Sequence, residues 1–333
     1  MQAAVLEALH TKLALKELPE PQPAPGEAVV RLHAAALNHR DVFIQKGMYA
    51  KIKLPAVLGS DGAGEVLKVG EGVDPGLIGQ RVLIIPCQGW GPDPKVQGRD
   101  FVILGMPASG TFAQAIARPA DRLVTLPQHL SFQEGAALPL AGLTAWRALV
   151  SRGGVTRGEH VLVTGVGGGV STMALILAQA LGARVSVTSG SEEKLARARS
   201  LGAIAAVSYK DPDWGKKLVE AVGTPPSLII DSVGGNTLNQ LVNLCAPAGR
   251  IVTYGSTLGK VEGLELPRLF FKQIDLRGST MGTDDDFRAM VDLVARERLK
   301  PVVDRVFPLA QAEEALRHMD GAQQMGKIVL DCG

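Results

Sequence analysis

A glycine-rich turn near the middle of the chain has the composition of a phosphate-binding site. A predicted strand, His160–Thr164, precedes it, and a predicted apolar helix, Ser171–Leu181, follows it. The residues between them that could meet a ligand are Gly165, Gly167, Gly168, Gly169 and Val170. The free N–H groups and the macrodipole of a helix N-terminus favour an anion, and glycine lets that anion approach the main chain. The sequence therefore predicts a turn that holds the pyrophosphate of a dinucleotide, with a purely structural turn as the alternative.

The end of the second predicted strand, Arg184–Thr188, indicates which dinucleotide is bound. NAD sites usually place Asp or Glu at this point to bind the ribose hydroxyls. This chain instead has Ser189, a glycine and a second serine, with Lys194 in the helical turn that follows. An acid would repel a 2′-phosphate, whereas hydroxyls and a lysine would bind it. The pattern predicts NADPH. The two glutamates that precede Lys194 count against this prediction if they face the phosphate; their alternative role is to complement the helix dipole.

Strands and helices alternate from residue 160 to residue 254, which predicts a doubly wound parallel sheet. The further strands are predicted over Ala205–Ser208, Leu228–Asp231 and Arg250–Tyr254, and the helices over Glu192–Leu201, Asp213–Val222 and Thr237–Cys245. Ligands bind beyond the carboxyl ends of the strands in such a sheet. We therefore expect contacts to the cofactor from the residues after the fifth strand, Arg250–Tyr254, and from those after a sixth strand that ends before residue 281. These residues are Gly255, Ser256 and Thr257 in the first case, and Met281 and Gly282 in the second.

In the first third of the chain, β-rich runs bounded by Gly or Pro predict short strands. Short strands at this spacing are typical of a barrel or sandwich. These strands are Ala28–Ala34, Gly64–Gly70 and Gly79–Ile85, and the polar stretch Pro86–Gly110 predicts a long surface loop. After residue 280 the pattern predicts two helices, Asp284–Arg298 and Ala310–Met319, and a final strand, Lys327–Asp331.

Composition excludes several classes of protein. The 333 residues are 46% hydrophobic and 20% charged, as in a globular chain rather than a disordered one. A net charge of +2 and only 4% aromatic residues argue against nucleic-acid binding. No apolar run is long enough for a membrane span, and no signal peptide is expected. Three widely separated cysteines predict no disulfide framework, so we expect a cytoplasmic protein.

Motifs along essentially the whole chain resemble the medium-chain dehydrogenase/reductase superfamily, and within it the zinc-free quinone oxidoreductase-like branch. They are Leu37–Asp41, Gly47–Tyr49, Gly59–Val66, Val69–Val73, Gly110–Ala113, Leu138–Ala145, Gly168–Val170, Asp231–Gly235 and Gly249–Val252. The resemblance implies a GroES-like β-barrel catalytic domain made of residues 1–128 and 281–333. It also implies a Rossmann NADP-binding domain, residues 129–280, inserted between them, with the active site in the cleft. A homodimer is expected by analogy. Ser171 stands where the family's turn usually carries another glycine, and we expect a minor effect on packing.

The resemblance also aligns the ligand positions of the family's catalytic zinc with Asn38, Ser60 and Leu140. An amide, a hydroxyl and an alkyl group are not good zinc ligands. The family's structural zinc lobe would fall in Pro86–Gly110, where Cys87 is the only cysteine. We therefore predict no metal site, with one alternative cluster left open: His33, His39, Cys87 and Asp61.

Active-site residues follow from the same resemblance. It implies that Asn38 hydrogen-bonds the substrate carbonyl or a nicotinamide ribose hydroxyl, and that Tyr49 donates to a quinone oxygen at the mouth of the cleft. Ser60 and Asp61 stand where zinc enzymes carry a ligand and its acidic neighbour. The structural alternatives are a turn asparagine, a packing tyrosine, and an Asp61 that pairs with Arg40 or a backbone amide. Arg40 is also a candidate anchor for an acidic substrate.

Four further residues are matched to the cofactor by the resemblance. Thr144, expected at the start of a helix, would touch the nicotinamide carboxamide. Lys194 and Tyr209 would surround the adenosine phosphate together with Ser189. Lys327 would lie near the pyrophosphate, or else be a lysine that protects an edge strand.

Without a zinc ion, simple ketone and alcohol interconversion loses its main electrostatic help. The expected activity is therefore NADPH-dependent, zinc-independent hydride transfer to small-molecule quinones or α,β-unsaturated carbonyls. The alternatives are a metal-free enzyme like the alcohol dehydrogenases and a non-catalytic NADPH-binding protein.

Overall fold

The computed structural model describes residues 1–333. It divides into two compact units. The discontinuous unit is Met1–Leu140 with Thr283–Gly333, and the Rossmann unit is Ala141–Gly282. The divisions lie later than the predicted domain boundaries after residues 128 and 280. The first lies later because the helix Phe132–Ala136 packs on strands of the discontinuous unit.

The strands are short. In chain order they are β1 Gln2–Leu6, β2 Ala14–Glu17, β3 Glu27–Ala36, β4 Ala56–Val57, β5 Asp61–Val69, β6 Arg81–Ile84, β7 Cys87–Gln88, β8 Val102–Ile103, β9 Ala115–Pro119, β10 Leu123–Thr125, β11 His160–Val163, β12 Arg184–Ser189, β13 Ala205–Ser208, β14 Leu228–Asp231, β15 Arg250–Thr253, β16 Asp275–Gly278, β17 Val303–Pro308 and β18 Lys327–Asp331.

The helices lie mostly in the second half of the chain. They are α1 His39–Gln45, α2 Phe132–Ala136, α3 Pro139–Trp146, α4 Gly169–Ala180, α5 Glu192–Ser200, α6 Trp214–Val222, α7 Thr237–Leu244, α8 Leu266–Phe271, α9 Asp284–Arg296 and α10 Ala312–Asp320, with a π-helical segment at Arg147–Arg152. None of them combines the length and the apolar character that crossing a membrane requires.

The main sheet of the discontinuous unit joins the two ends of the chain. Its strand order is β10-β6-β5-β3-β18-β17, with β9 also paired to β3. The register opposes Ala36, at the end of β3, to Asp61 on one side and to Val329 on the other. The first residues of β5 and β18 are therefore brought to the point where the chain leaves β3 for α1. This is the junction that positions the candidate catalytic side chains.

The Rossmann unit contains a parallel six-stranded sheet in the order β13-β12-β11-β14-β15-β16. Its central strands β11 and β14 are wholly buried, which is why they are continuous apolar runs in the sequence. The strand order reverses between β11 and β14, which makes this the topological switch point where ligands bind in such sheets. The glycine-rich turn begins there, at the end of β11. The predicted doubly wound sheet is confirmed, including the strands Ala205–Ser208 and Leu228–Asp231 at the predicted bounds.

Three local predictions were wrong or incomplete. Pro86–Gly110 is not simply a surface loop, because it contains β7 and β8 and buries Leu104 and Met106. The helix that carries Thr144 begins at Pro139, so Thr144 lies inside it rather than at its start. The short helices α1 and α8 were not predicted.

Candidate functional site

The main chain of the glycine-rich turn is shaped to receive a phosphate. Gly165 and Gly167 have φ values of +61° and +143°, which L-residues rarely adopt. Gly168 caps α4, and a Cβ added to it would meet nothing closer than the Ser171 hydroxyl at 3.7 Å. The space beside Gly168, at the N-terminus of the helix, is therefore open to a ligand. Gly169 and Val170 are the first two residues of the helix.

Ser171 helps to shape the turn. Its hydroxyl lies 3.2 Å from the Gly165 carbonyl oxygen and 3.0 Å from that of Gly168. The serine thus bonds the main chain of the turn instead of merely filling the place of a glycine.

The structure brings the predicted phosphate-specificity residues together at the end of β12. Ser189 is buried, and its hydroxyl accepts the backbone N–H of Ser191 at 3.3 Å. The backbone N–H of Tyr209 donates to the Ser189 carbonyl at 3.2 Å. The Tyr209 ring lies over Gly190, where an added Cβ would be 2.5 Å from the phenol oxygen. A bulkier residue at 190 would therefore displace Tyr209.

Lys194 connects this region to the glycine turn. Ser191 is the N-cap of α5 and accepts the backbone N–H of Lys194 at 3.4 Å. The Lys194 side chain lies against Gly167, since an added Cβ would be 2.8 Å from the lysine Cδ. The two neighbouring glutamates of this first turn are exposed. One cation thus lies between the turn and the end of β12.

Five other cofactor candidates follow the strands β15 and β16. Gly255, Ser256 and Thr257 form an exposed loop after β15, and the Thr257 hydroxyl donates to the Ser232 carbonyl at 3.1 Å. Met281 is buried with φ +42°, next to Gly282. Thr144 is buried within α3.

Asp231, at the end of β14, ties neighbouring loops of this unit together. Its carboxylate accepts the Thr164 hydroxyl at 2.6 Å and the backbone N–H groups of Val233 and Gly234 at 3.2 and 3.1 Å. Its role was not predicted. An acid directly after an apolar strand and before two glycines was the available signal.

A second cluster lies in the discontinuous unit, where Asn38, Asp61 and Lys327 bond one another. The Lys327 ammonium donates to Asn38 Oδ1 at 2.7 Å, to Asp61 Oδ2 at 2.8 Å and to the Leu37 carbonyl at 2.6 Å. Asn38 Nδ2 donates to the same Asp61 oxygen at 3.0 Å, and the other Asp61 oxygen accepts the Leu140 backbone N–H at 2.7 Å. All of these side chains are buried.

The position of Lys327 corrects the alternative of an edge-strand lysine. β18 lies between β3 and β17, and Lys327 is only 3% exposed. An ammonium has three N–H donors, and all three are used within the discontinuous unit. The predicted pyrophosphate contact would therefore require one of these bonds to break. Sequence spacing could not reveal this, because the partners lie at the end of β3 and the start of β5, 266 to 290 residues from Lys327 in the chain.

Ser60 and Arg40 form the adjoining part of the cluster. Arg40 Nη1 donates to the Ser60 hydroxyl at 2.9 Å, and Nη2 donates to the Met106 carbonyl at 3.2 Å. The Ser60 hydroxyl donates to the Leu104 carbonyl at 2.8 Å. The guanidinium carbon lies 5.0 Å from the centroid of the half-buried Tyr49 ring, a cation–π distance. The structural alternative in which Asp61 pairs with Arg40 is wrong, since Lys327 is its ionic partner.

These residues do not fit a zinc ion. The Ser60 hydroxyl is bonded to a guanidinium, whose charge would repel a metal cation, and Leu140 has no donor side-chain atom. No three His, Cys, Asp or Glu side chains lie close enough together to hold a metal. The alternative cluster therefore does not assemble, and His33 instead stacks on Phe132 with ring centroids 4.2 Å apart. Burial raises the pKa of Cys87 to about 12, which disfavours its thiolate.

Asp41 holds the backbone next to this cluster. Its carboxylate accepts the backbone N–H of Asn38 at 2.8 Å and lies 3.4 Å from that of Gly59. Burial raises the pKa of Asp41 from its ordinary value near 3.8 to about 6, against the opposing effect of nearby Arg40. This carboxyl therefore changes its charge close to neutral pH.

Known proteins resemble the chain along its whole length. The family model described as "Alcohol dehydrogenase GroES-like domain" matches residues 24–128, and "Zinc-binding dehydrogenase" matches residues 169–296. The "Zinc-type alcohol dehydrogenase-like protein YogA" of Leptosphaeria maculans is 36% identical over 97% of this chain and 95% of that protein. A "Quinone oxidoreductase" of Pseudomonas aeruginosa is 30% identical over 93% and 92%. A solved structure described as an "NAD-dependent alcohol dehydrogenase" has a TM-score of 0.95 at 38% identity and covers 100% of both chains.

Because the similarity runs through both units, the predicted fold class is confirmed, and the protein is of the oxidoreductase class that uses a nicotinamide dinucleotide. The chain belongs to the medium-chain dehydrogenase/reductase superfamily, which includes quinone oxidoreductase-like relatives.

Proposed function

We propose that the protein is an NADPH-dependent reductase of quinones or α,β-unsaturated carbonyls that works without zinc. The observation that carries the proposal is the hydrogen-bonded network at the positions of the family's zinc ligands. There, Asn38 offers an amide, Ser60 is bonded to Arg40, and Leu140 offers no ligand atom. A substrate that already accepts hydride readily suits a site without a Lewis acid.

When bound, NADPH would supply a hydride, becoming NADP⁺, while the reduced acceptor takes up one proton from solvent. The protein's own contribution is orientation and hydrogen bonding to the oxygen on which negative charge develops. Asn38 Nδ2 and the phenol of Tyr49 are the donors that we assign to that oxygen. Neither needs to change its protonation state to act as a donor.

NADPH rather than NADH is proposed from the group at the end of β12. A backbone hydrogen bond joins Ser189 and Tyr209 there, Lys194 lies between that strand end and the glycine-rich turn, and no acid follows Ser189 directly. A Lys194→Glu variant should weaken NADPH binding by roughly 100-fold and NADH binding far less, since only NADPH carries the 2′-phosphate. Lys216→Glu, at an exposed position of α6, is the matched control. Equal loss of both cofactors would contradict the assignment.

The activity is tested by following NADPH absorbance with a panel of acceptors. Quinones, then 2-alkenals, then simple ketones should be tried with the same enzyme preparation. Turnover confined to quinones or unsaturated carbonyls supports the proposal. The second candidate, a metal-free enzyme like the alcohol dehydrogenases, is favoured by the 38% identical solved structure and predicts ketone reduction. Binding of NADPH without turnover of any acceptor would point to the non-catalytic alternative.

We also propose a homodimer that forms through the Rossmann unit. β16 is an edge strand, paired only with β15, and its side chains are mostly exposed. The adjoining helix α8 exposes apolar side chains, with Phe271 80% exposed. An unpaired strand edge beside an apolar patch favours association with a second copy. Sedimentation should show a dimer, and Leu276→Lys in β16 should shift it to monomer; an unchanged dimer would exclude this edge.

A further inference from the structure

The side chain of Asn38 has partners both in its own helix and outside it. Asn38 is the N-cap of α1 and forms a capping box with Asp41, in which the Asn38 side chain is turned toward the backbone N–H of Asp41. In return, the Asp41 carboxylate accepts the Asn38 backbone N–H at 2.8 Å. Both ends of the amide are also held by groups outside the helix.

Those partners allow the amide only one orientation. Oδ1 accepts from the Lys327 ammonium at 2.7 Å, and Nδ2 donates to the Asp61 carboxylate at 3.0 Å. If the amide flipped, its NH₂ would face the ammonium and its oxygen would face the carboxylate, so both contacts would become repulsive. Lys327 and Asp61 also bond each other at 2.8 Å, which fixes the geometry of the pair.

We propose that Lys327 and Asp61 are positioning residues that fix Asn38 as a hydrogen-bond donor to the substrate oxygen. An amide nitrogen has two N–H groups, and Asp61 takes one of them. The second N–H is then what Asn38 offers a ligand, because Oδ1 already faces an ammonium. Such a group suits the acceptor oxygen of a quinone or an unsaturated carbonyl better than the O–H of an alcohol. The inference rests on the proposed reductase function. It narrows the substrates to molecules whose reacting group carries an oxygen that accepts a hydrogen bond.

Burial of the pair is consistent with this role. Asp61 is fully buried and Lys327 nearly so, and removing two charges from water costs much of what their attraction returns. A buried ion pair is therefore weak evidence for a stabilising role, and it is better explained when it orients a third group. Asn38 is that group, since it bonds both charges and remains 8% exposed.

The test is a mutant cycle that keeps the buried charge balanced. Lys327→Met combined with Asp61→Asn removes both charges, and the new amide can still accept the Leu140 N–H. We expect kcat at saturating NADPH to fall roughly 10- to 100-fold, as Asn38→Ala should also do. In the Asn38→Ala background the double change should cause no further loss, because the pair acts through Asn38. NADPH affinity should not change.

The matched control is Lys300→Met with Glu134→Gln, which removes another lysine–carboxylate pair of the same unit, 2.8 Å apart. Its kcat should equal that of the wild type. Losses that multiply across the cycle would overturn the proposal. So would an unchanged kcat, or a fall in NADPH affinity alone, which would return Lys327 to the pyrophosphate.

A second readout does not depend on turnover. In NMR spectra of the wild-type chain, the Asn38 side-chain N–H that donates to Asp61, assigned by its loss in Asn38→Asp, should exchange slowly with solvent. Rapid exchange would overturn the fixed orientation. If the wild type reduced none of the acceptors yet showed this protection, the proposed function would fail while the positioning by Lys327 and Asp61 would stand.

Discussion

In the Rossmann unit the candidate site consists mainly of backbone, whereas in the discontinuous unit it consists of side chains. The first depends on positive φ values at Gly165 and Gly167 and on open space at Gly168. The second depends on bonds among Asn38, Asp61 and other groups brought together by strand register. A substitution that adds bulk should abolish ligand binding at a site made of backbone. A site made of hydrogen-bonded side chains should instead respond to changes of charge. The variants below probe that difference.

The largest expected effect is steric, at the turn. Gly167→Val should reduce NADPH affinity at least ~100-fold, about 2.8 kcal/mol, because a side chain at φ +143° strains the turn and displaces Lys194. Fluorescence titration of NADPH measures it. Gly158→Val is the control, since Gly158 also has a positive φ but would place its Cβ in open space. Equal losses in both variants would mean that general strain, and not the phosphate site, is responsible.

A smaller effect, electrostatic in origin, is expected from Asp41. Its folded pKa is raised to about 6, so the folded state binds a proton more tightly than the unfolded state does. Stability from this group is thus fully present only below about pH 4 and is lost as pH rises through about 6, with roughly 2 kcal/mol of the loss falling between pH 4 and pH 7. Lys327, Asp61 and Arg40 are the charged groups around it.

Urea unfolding of the wild type and of Asp41→Asn, at several pH values between 4 and 7, measures this contribution. The stability of the wild type relative to the variant should fall as pH rises. A difference that does not depend on pH would show that Asp41 has an ordinary pKa.

The smallest effect is expected at Ser171. Ser171→Gly should lower the free energy of unfolding by about 1 kcal/mol, through lost hydrogen bonds and added backbone freedom at the start of α4. NADPH affinity should stay the same, because the hydroxyl contacts the turn's own carbonyls. Ser171→Ala separates the hydrogen bonds from the backbone effect. A clear loss of NADPH affinity in both variants would assign the hydroxyl to the ligand.

The same contrast explains what the sequence could predict. The turn and the strands around it were predictable because their signal is local: a buried apolar run, then glycines, then a helix. The cluster at Asn38 was only partly predictable. Its members were identified by resemblance, but the bonds of Lys327 depend on the pairing of β3 with β18, which are almost 300 residues apart in the chain. The buried Leu104 and Met106 were hidden by the glycine- and proline-rich composition around them.

The central claim, reduction without zinc, is tested most directly by chelation. The purified protein should be treated with a strong chelator, shown by elemental analysis to hold no stoichiometric zinc, and assayed with NADPH and a quinone or enone. We predict the same rate before and after treatment, since the Ser60 hydroxyl is bonded to Arg40 and Leu140 has no ligand atom. Activity that disappears with the metal and returns when zinc is added would contradict the account.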